Sequence, residues 1–327
     1  MTDVLKQRAP IRSTTGLDRD SVPWRLWEKA KESFWDPKDI DFSKDAADFA
    51  SFTDEQKARV IGSARGFMVG EEAVTIDILP VIRAISREGR LEETIYLTSF
   101  ALEEAKHVDF FRLFFDSIGI GEVPQMQGGQ GNGNGNGQGG GQGGGPLNNL
   151  FSGGLGEIMG RLDTDTSPEA FLDAALMYNQ FVEGVLALAG YRGWARLFES
   201  LGGDVLPGFQ EGLRLVQKDE RRHIAYGTYL IRRIVAEHPE SWAFVERRWE
   251  EITGPITMMV ELMKERIAKG EVTGPRGAYG TIDMEFVVKQ CKRRLDMLRV
   301  STDTTADDVE HATIESFEPT EMAEITS

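Results

Sequence analysis

Two short stretches decide the fold: Glu103-Glu104-Ala105-Lys106-His107 and Asp219-Glu220-Arg221-Arg222-His223. Each places a histidine three residues after a glutamate. The chain has only four histidines, His107, His223, His238 and His311, so half of them share this arrangement. On a helix, residues three apart lie on one face, and both side chains can reach one ion. Carboxylate with imidazole is a mixed donor set that suits iron, manganese or zinc.

Working outward, each pair is preceded by a lone acid in an apolar run. Phe67-Met68-Val69-Gly70-Glu71-Glu72-Ala73-Val74 comes before the first pair, and Tyr178-Asn179-Gln180-Phe181-Val182-Glu183-Gly184-Val185-Leu186 before the second. The order is Glu, ExxH, Glu, ExxH. A Glu from each of two helices with an ExxH from each of two others is the ligand set of dimetal carboxylate bundles. Four carboxylates balance two divalent cations and can bridge them. Glu183 among apolar neighbours would be costly to bury without such a partner. The candidate ligands are Glu71 (or its neighbour Glu72), Glu104, His107, Glu183, Glu220 and His223. Asp219 is a candidate partner for a ligand histidine, or a solvated acid. His238, before Pro239, reads as solvated, and His311 carries no assignment.

The rest of the sequence fits an all-α chain. Apolar residues recur at three and four through Val60, Ala64, Phe67, Met68, Val74 and Ile78, and through Ile95, Phe100, Val108, Phe111 and Phe115. Long helices are expected at roughly 54–87, 91–118, 168–200, 203–237, 239–269 and 281–299, with shorter ones near 24–34 and 147–160. Ser167-Pro168-Glu169 is a helix start with Pro at the first helical position. Residues 128–145 are 12 Gly among Gln and Asn, an expected disordered insertion within one domain spanning 21–300. Residues 1–20 are expected to be flexible and 301–327 to form a disordered acidic tail.

The 327 residues carry 37 basic and 53 acidic side chains, a formal charge of −16 that argues against nucleic-acid binding. Eight of the acids lie in 302–327, which has no Lys or Arg. A single cysteine, Cys291, allows no internal disulfide and no CxxC site. There is no apolar stretch long enough for a transmembrane segment and no secretory signal, so a cytoplasmic location is expected.

The ligand pattern resembles the ribonucleotide reductase small-subunit superfamily, as does Ser33-Phe34-Trp35-Asp36-Pro37. Within it the chain is most similar to the R2-like ligand-binding oxidases. Glu71 stands where most reductase subunits carry Asp, and Phe111 stands at the position of their radical tyrosine. Val74 and Tyr178 match the pair those oxidases join by an ether cross-link. The resemblance implies a ferritin-like four-helix-bundle core with additional helices. It also implies a homodimer and one manganese and one iron ion, with Fe/Fe as the alternative. Manganese would take Glu71, Glu104 and His107. Iron would take Glu183, Glu220 and His223, with Glu104 and Glu220 bridging. It further implies reaction with O2, a long-chain fatty acid ligand and a self-formed Val74–Tyr178 link. Two other readings stay open: a radical-generating reductase subunit without the radical tyrosine, and a non-catalytic metal or lipid carrier.

Overall fold

The computed structural model describes residues 12–14, 16–122, 154–269, 283–299 and 304–319. The Gly-rich segment 128–145 lies outside the described residues. No strand occurs among those described. The helices are α1 (Val22–Glu32), α2 (Ser43–Ser51), α3 (Asp54–Arg87), α4 (Leu91–Ser117), α5 (Leu155–Gly160) and α6 (Pro168–Ala175). A π-helical segment (Leu176–Ala187) follows, then α7 (Leu188–Leu201), α8 (Pro207–Glu237), α9 (Trp242–Ala268), α10 (Met284–Leu298) and α11 (Ala306–Glu310). No described helix is long and apolar enough to cross a membrane.

The helix starts follow their capping chemistry. Thr53 and Gln56 form a reciprocal capping box on α3, at 3.3 and 2.9 Å. Ser167 caps Ala170 ahead of Pro168. The chain leaves α7 through Gly202 and Gly203, at φ of 117° and 83°, backbone that favours glycine. Expectation and structure agree for α3 at both ends. The helix expected from 203 begins at Pro207, because the two glycines and Leu206, at φ 50°, form the turn.

Three features depart from the sequence reading. The helix expected over 168–200 is continuous but widens into the π-helical segment at its centre. Helix α2 was not foreseen. It is short, and its buried Asp45 accepts hydrogen bonds from the Gly208 and Phe209 amides at 2.9 and 2.7 Å, capping α8. The described part of the acidic tail, residues 304–319, is also packed against the body of the protein. Within 301–327, Val309, Ile314 and Phe317 are buried. Arg25 donates to the Ala312 carbonyl, and Lys29 meets Glu318 at 3.0 Å. His311 bonds Asp18 at 3.0 Å, so part of the 1–20 segment is also tied down. Three apolar anchors and this opposite-charge pairing hold a segment whose composition alone reads as solvated.

Helices α3, α4, the π-helical segment and α8 surround the core. Close approach of two of them depends on one residue: a Cβ at Gly227 of α8 would lie 2.1 Å from Asn179 Cβ on the π-helical segment. Phe110, Phe114, Phe209 and Trp194 fill one end, with Phe114 and Phe209 centroids 4.1 Å apart and Trp194 4.7 Å from Phe209.

Candidate metal centre

The four core helices bring all six candidate ligands together. Glu71, Glu104, His107 and Glu220 form one group, and Glu104, Glu183 and His223 a second, with donor atoms in each within 4.8 Å of one another. All six are buried. Glu72, the alternative to Glu71, is exposed.

Both histidines aim Nδ1 inward. His107 Nδ1 lies 3.1 Å from Glu71, 3.7 Å from Glu104 and 3.8 Å from Glu220. His223 Nδ1 lies 3.0 Å from Glu104, 3.6 Å from Glu183 and 3.7 Å from Glu220. Glu104 and Glu220 therefore face both imidazoles, while Glu71 and Glu183 each face one.

The outer nitrogens explain this orientation. His107 Nε2 meets Asp219 at 3.2 Å, and His223 Nε2 meets Glu103 at 2.9 Å. With Nε2–H donating to a carboxylate, the Nδ1 lone pair is left free to bind. The pairing is crossed: the acid before each motif glutamate orients the histidine of the other motif. Arg222 donates to both Glu103 and Asp219. Asp219 also accepts from Trp35 Nε1 at 2.8 Å and Lys106 at 3.0 Å. Asp219 is thus an orienting residue rather than a solvated acid. Glu103, Lys106 and Arg222 were not foreseen as part of the centre. The acid preceding Glu in both motifs was the available signal.

The π-helical segment sets the second half. With i→i+5 bonding, residues five apart come onto one face, which an α-helix would not do. Tyr178 and Glu183 are so spaced. The Tyr178 hydroxyl donates to Glu104 at 3.1 Å, and Asn179 donates to Glu183 at 2.9 Å. Val74, one turn from Glu71, is buried in the core.

Crowding of buried acids shifts their titration. Burial pushes Glu71 up to about 8, and Glu183 and Glu220 up to about 7. Burial acts on Glu104 too, but His223 and His107 outweigh it and hold this carboxyl well below the usual range. Burial alone would lower both histidines. The Glu71 charge beside His107, and Glu104 beside His223, raise them well above the ordinary value.

Glu104 Oε2, Glu183 Oε1, Glu220 Oε2 and His223 Nδ1 are buried without a hydrogen-bond partner among the described residues. Inward-facing acceptors left unpaired in this way are costly for a chain alone. They fit a pair of divalent cations, each offered one imidazole and one terminal carboxylate, with Glu104 common to both groups and Glu220 within 3.8 Å of both imidazoles.

Comparison with known proteins agrees. The family model of the ribonucleotide reductase small chain matches residues 19–125. The R2-like ligand-binding oxidase from Sulfolobus acidocaldarius is 32% identical, with TM-score 0.75 over 93% of this chain and 99% of that one. A variant R2-like ligand-binding oxidase with an anaerobically reconstituted Mn/Fe cofactor is 33% identical, with TM-score 0.73 over 90% and 100% of the two chains. Another variant, with a non-activated Mn/Mn cofactor after aerobic reconstitution with Mn and Fe, is 34% identical, with TM-score 0.71 over 88% and 97%. With this similarity over nearly the whole of its length, and a buried Glu/His centre of matching chemistry, the chain belongs to the R2-like ligand-binding oxidases, dimetal-carboxylate oxidoreductases of the ribonucleotide reductase small-subunit superfamily.

Proposed function

We propose that the chain holds one manganese and one iron ion and uses O2 to oxidise C–H bonds, including one of its own. The observation that carries this is the shared pair of carboxylates, Glu104 and Glu220, facing both His107 and His223. Glu71, Glu104, His107 and Glu220 would hold one ion, and Glu104, Glu183, Glu220 and His223 the other. The same donors suit Fe/Fe. When bound, the metal pair supplies electrons to O2 and the oxidant that takes electrons from a C–H bond.

The chain's own residues aim that chemistry. The Tyr178 phenol donates to Glu104, which fixes its oxygen at the centre. Val74 offers a buried C–H on the Glu71 face of α3. Joining the two removes one hydrogen from Val74 and one from the Tyr178 hydroxyl, releasing two electrons and two protons as the C–O bond forms. The apolar residues around Glu183, namely Phe181, Val182 and Val185, are buried and exclude water. The ligand we assign, a long-chain fatty acid, follows the family resemblance, and the relatives are described as ligand-binding. Exposed Val69, Ile76 and Leu79 on α3 and Leu102 on α4 support the homodimer reading.

The test is peptide mass after reconstitution with Mn(II) and Fe(II) in air. Trypsin releases 66–83, containing Val74, and 162–192, containing Tyr178. A species at the sum of the two minus two hydrogens, absent from anaerobic apo-protein, is expected. Two separate peptides from protein carrying both metals would refute the cross-linking reading.

A further inference from the structure

A file of aromatic rings leaves the centre on the His223 side and ends under the C-terminal segment. Phe100 stacks on His223 with centroids 3.6 Å apart and planes 10° from parallel. Tyr226 stands edge-on to Phe100 at 6.5 Å, Tyr229 is 6.1 Å from Tyr226, and Phe317 is 6.0 Å from Tyr229. Tyr226 and Tyr229 lie three apart on α8, so both rings leave the same face.

The hydroxyls distinguish this file from ordinary core packing. Tyr226 donates to Glu93 Oε2 at 3.1 Å. Tyr229 donates to Glu310 at 2.6 Å and lies 3.3 Å from Glu93 Oε1. Glu93 does not need two phenols for neutralisation, since Arg233 and Arg90 already stand 3.4 and 3.5 Å away. Tyr96 makes the contrast. It lies 6.1 Å from Phe100 and 5.2 Å from Tyr226, yet its buried hydroxyl has no hydrogen-bond partner among the described residues. Oxidising a buried phenol without moving its proton would leave an unpaired buried cation, which is costly. Tyr226 and Tyr229 have an acceptor in place, and Tyr96 has none.

We propose that Phe100, Tyr226 and Tyr229 form a path that drains oxidising equivalents from the dimetal centre to the surface when no substrate is bound. This rests on the O2-oxidase reading above. Tyr226 gives one electron, across Phe100, to the oxidised centre and its phenolic proton to Glu93, leaving a neutral phenoxyl. Tyr229 gives one electron to that phenoxyl and its own proton to Glu310, while Glu93 returns its proton to Tyr226. A small one-electron reductant, of the ascorbate or thiol class, then gives an electron to the Tyr229 phenoxyl, and Glu310 returns the proton. The net transfer is one electron from reductant to centre. Glu310, whose side chain is 22% exposed, places the outer end one side chain below solvent.

The test uses full-length protein reconstituted with Mn(II) and Fe(II), exposed to O2 without substrate, freeze-quenched and read by electron paramagnetic resonance. Decay of the oxidised centre is followed in parallel with ascorbate present. Wild type and Tyr96→Phe are expected to show a phenoxyl signal that narrows on ring deuteration of tyrosine. Tyr226→Phe should lose the signal and slow the ascorbate-driven decay about tenfold. Tyr229→Phe should keep a signal but slow the decay comparably. Glu93→Gln, which retains both phenols, should behave as Tyr226→Phe does. A merely structural role would not move that readout, and this variant decides the matter if Tyr226→Phe loses its metals. Equal signal and decay in wild type, Tyr229→Phe and Glu93→Gln overturn the path alone. A wild type that binds both metals but is not oxidised by O2 and forms no Val74–Tyr178 link overturns the oxidase reading and the path together.

Discussion

The two halves of the centre are written with the same motif but are held differently. On the His107 side, the orienting carboxylate Asp219 accepts from Trp35, Lys106 and Arg222. His107, and then Arg222 and Lys106, hold it well below the ordinary carboxylate range despite burial. On the His223 side, Glu103 has Arg222 as its only hydrogen-bonded cation besides the imidazole among the described residues. Glu71 projects from an unbroken α-helix, Glu183 from a π-helical segment. The motif therefore sets which atoms can bind metal, and the surroundings set how firmly each half is held. The His107 half is over-supported and the His223 half depends on one guanidinium.

The largest expected effect breaks both halves at once. Glu104→Ala or Glu220→Ala removes a carboxylate facing both imidazoles, so metal content by elemental analysis should fall from two ions per chain toward none. Glu71→Ala or Glu183→Ala should cost one ion. Equal losses from all four variants would show that the halves are not separable.

The next effect sharpens the asymmetry. Arg222→Met leaves Glu103 buried without its cation, a change that typically costs about 3–5 kcal/mol, while Asp219, which also loses this partner, keeps Lys106 and Trp35. Lys106→Met leaves Asp219 with Arg222 and Trp35 and should cost about 1–3 kcal/mol. Thermal unfolding of the metal-free variants measures both. A larger loss from Lys106→Met would invert the comparison.

The smallest is a drift with pH in metal-free protein. Glu71, near 8, and Glu183 and Glu220, near 7, hold protons in the folded chain that the unfolded chain releases near the ordinary 4.5. Both histidines are likewise raised. The folded state thus binds more protons between about pH 5 and 8, so stability falls as pH rises through that window. The depressed Glu104 and Asp219 act in the opposite direction, but only at lower pH. Metals displace these protons, so metal affinity should instead rise with pH. Melting temperatures of the two forms from pH 5 to 8 should move apart. Parallel curves would mean that the buried acids are not the metal-binding groups.

Much of this was legible in the chain. Periodicity and caps gave α3 to its ends, because Thr53 and Gln56 act locally. Spacing gave the two Glu-x-x-His pairs, because i and i+3 share a helix face in any context. Glu183 was read from its apolar surroundings, and the choice of Glu71 over Glu72 needed the burial that the fold imposes. Charge and composition were less reliable guides at the tail. The tail from 301 onward reads as solvated acid, and the buried seats of Val309, Ile314 and Phe317, the last beside Tyr229, give its described part a place to bind.

What the sequence determined by itself is therefore local: helices, caps and the two Glu-x-x-His pairs, each fixed within a few turns of chain. Tertiary structure alone decided the rest. The crossed pairing of Asp219 with His107 and Glu103 with His223 joins residues more than 100 positions apart, and Arg222 closes it. The π-helical widening that turns Tyr178 toward Glu104 sits where α8 packs closely at Gly227. Such contacts depend on which helices meet and at what height, which no local spacing encodes.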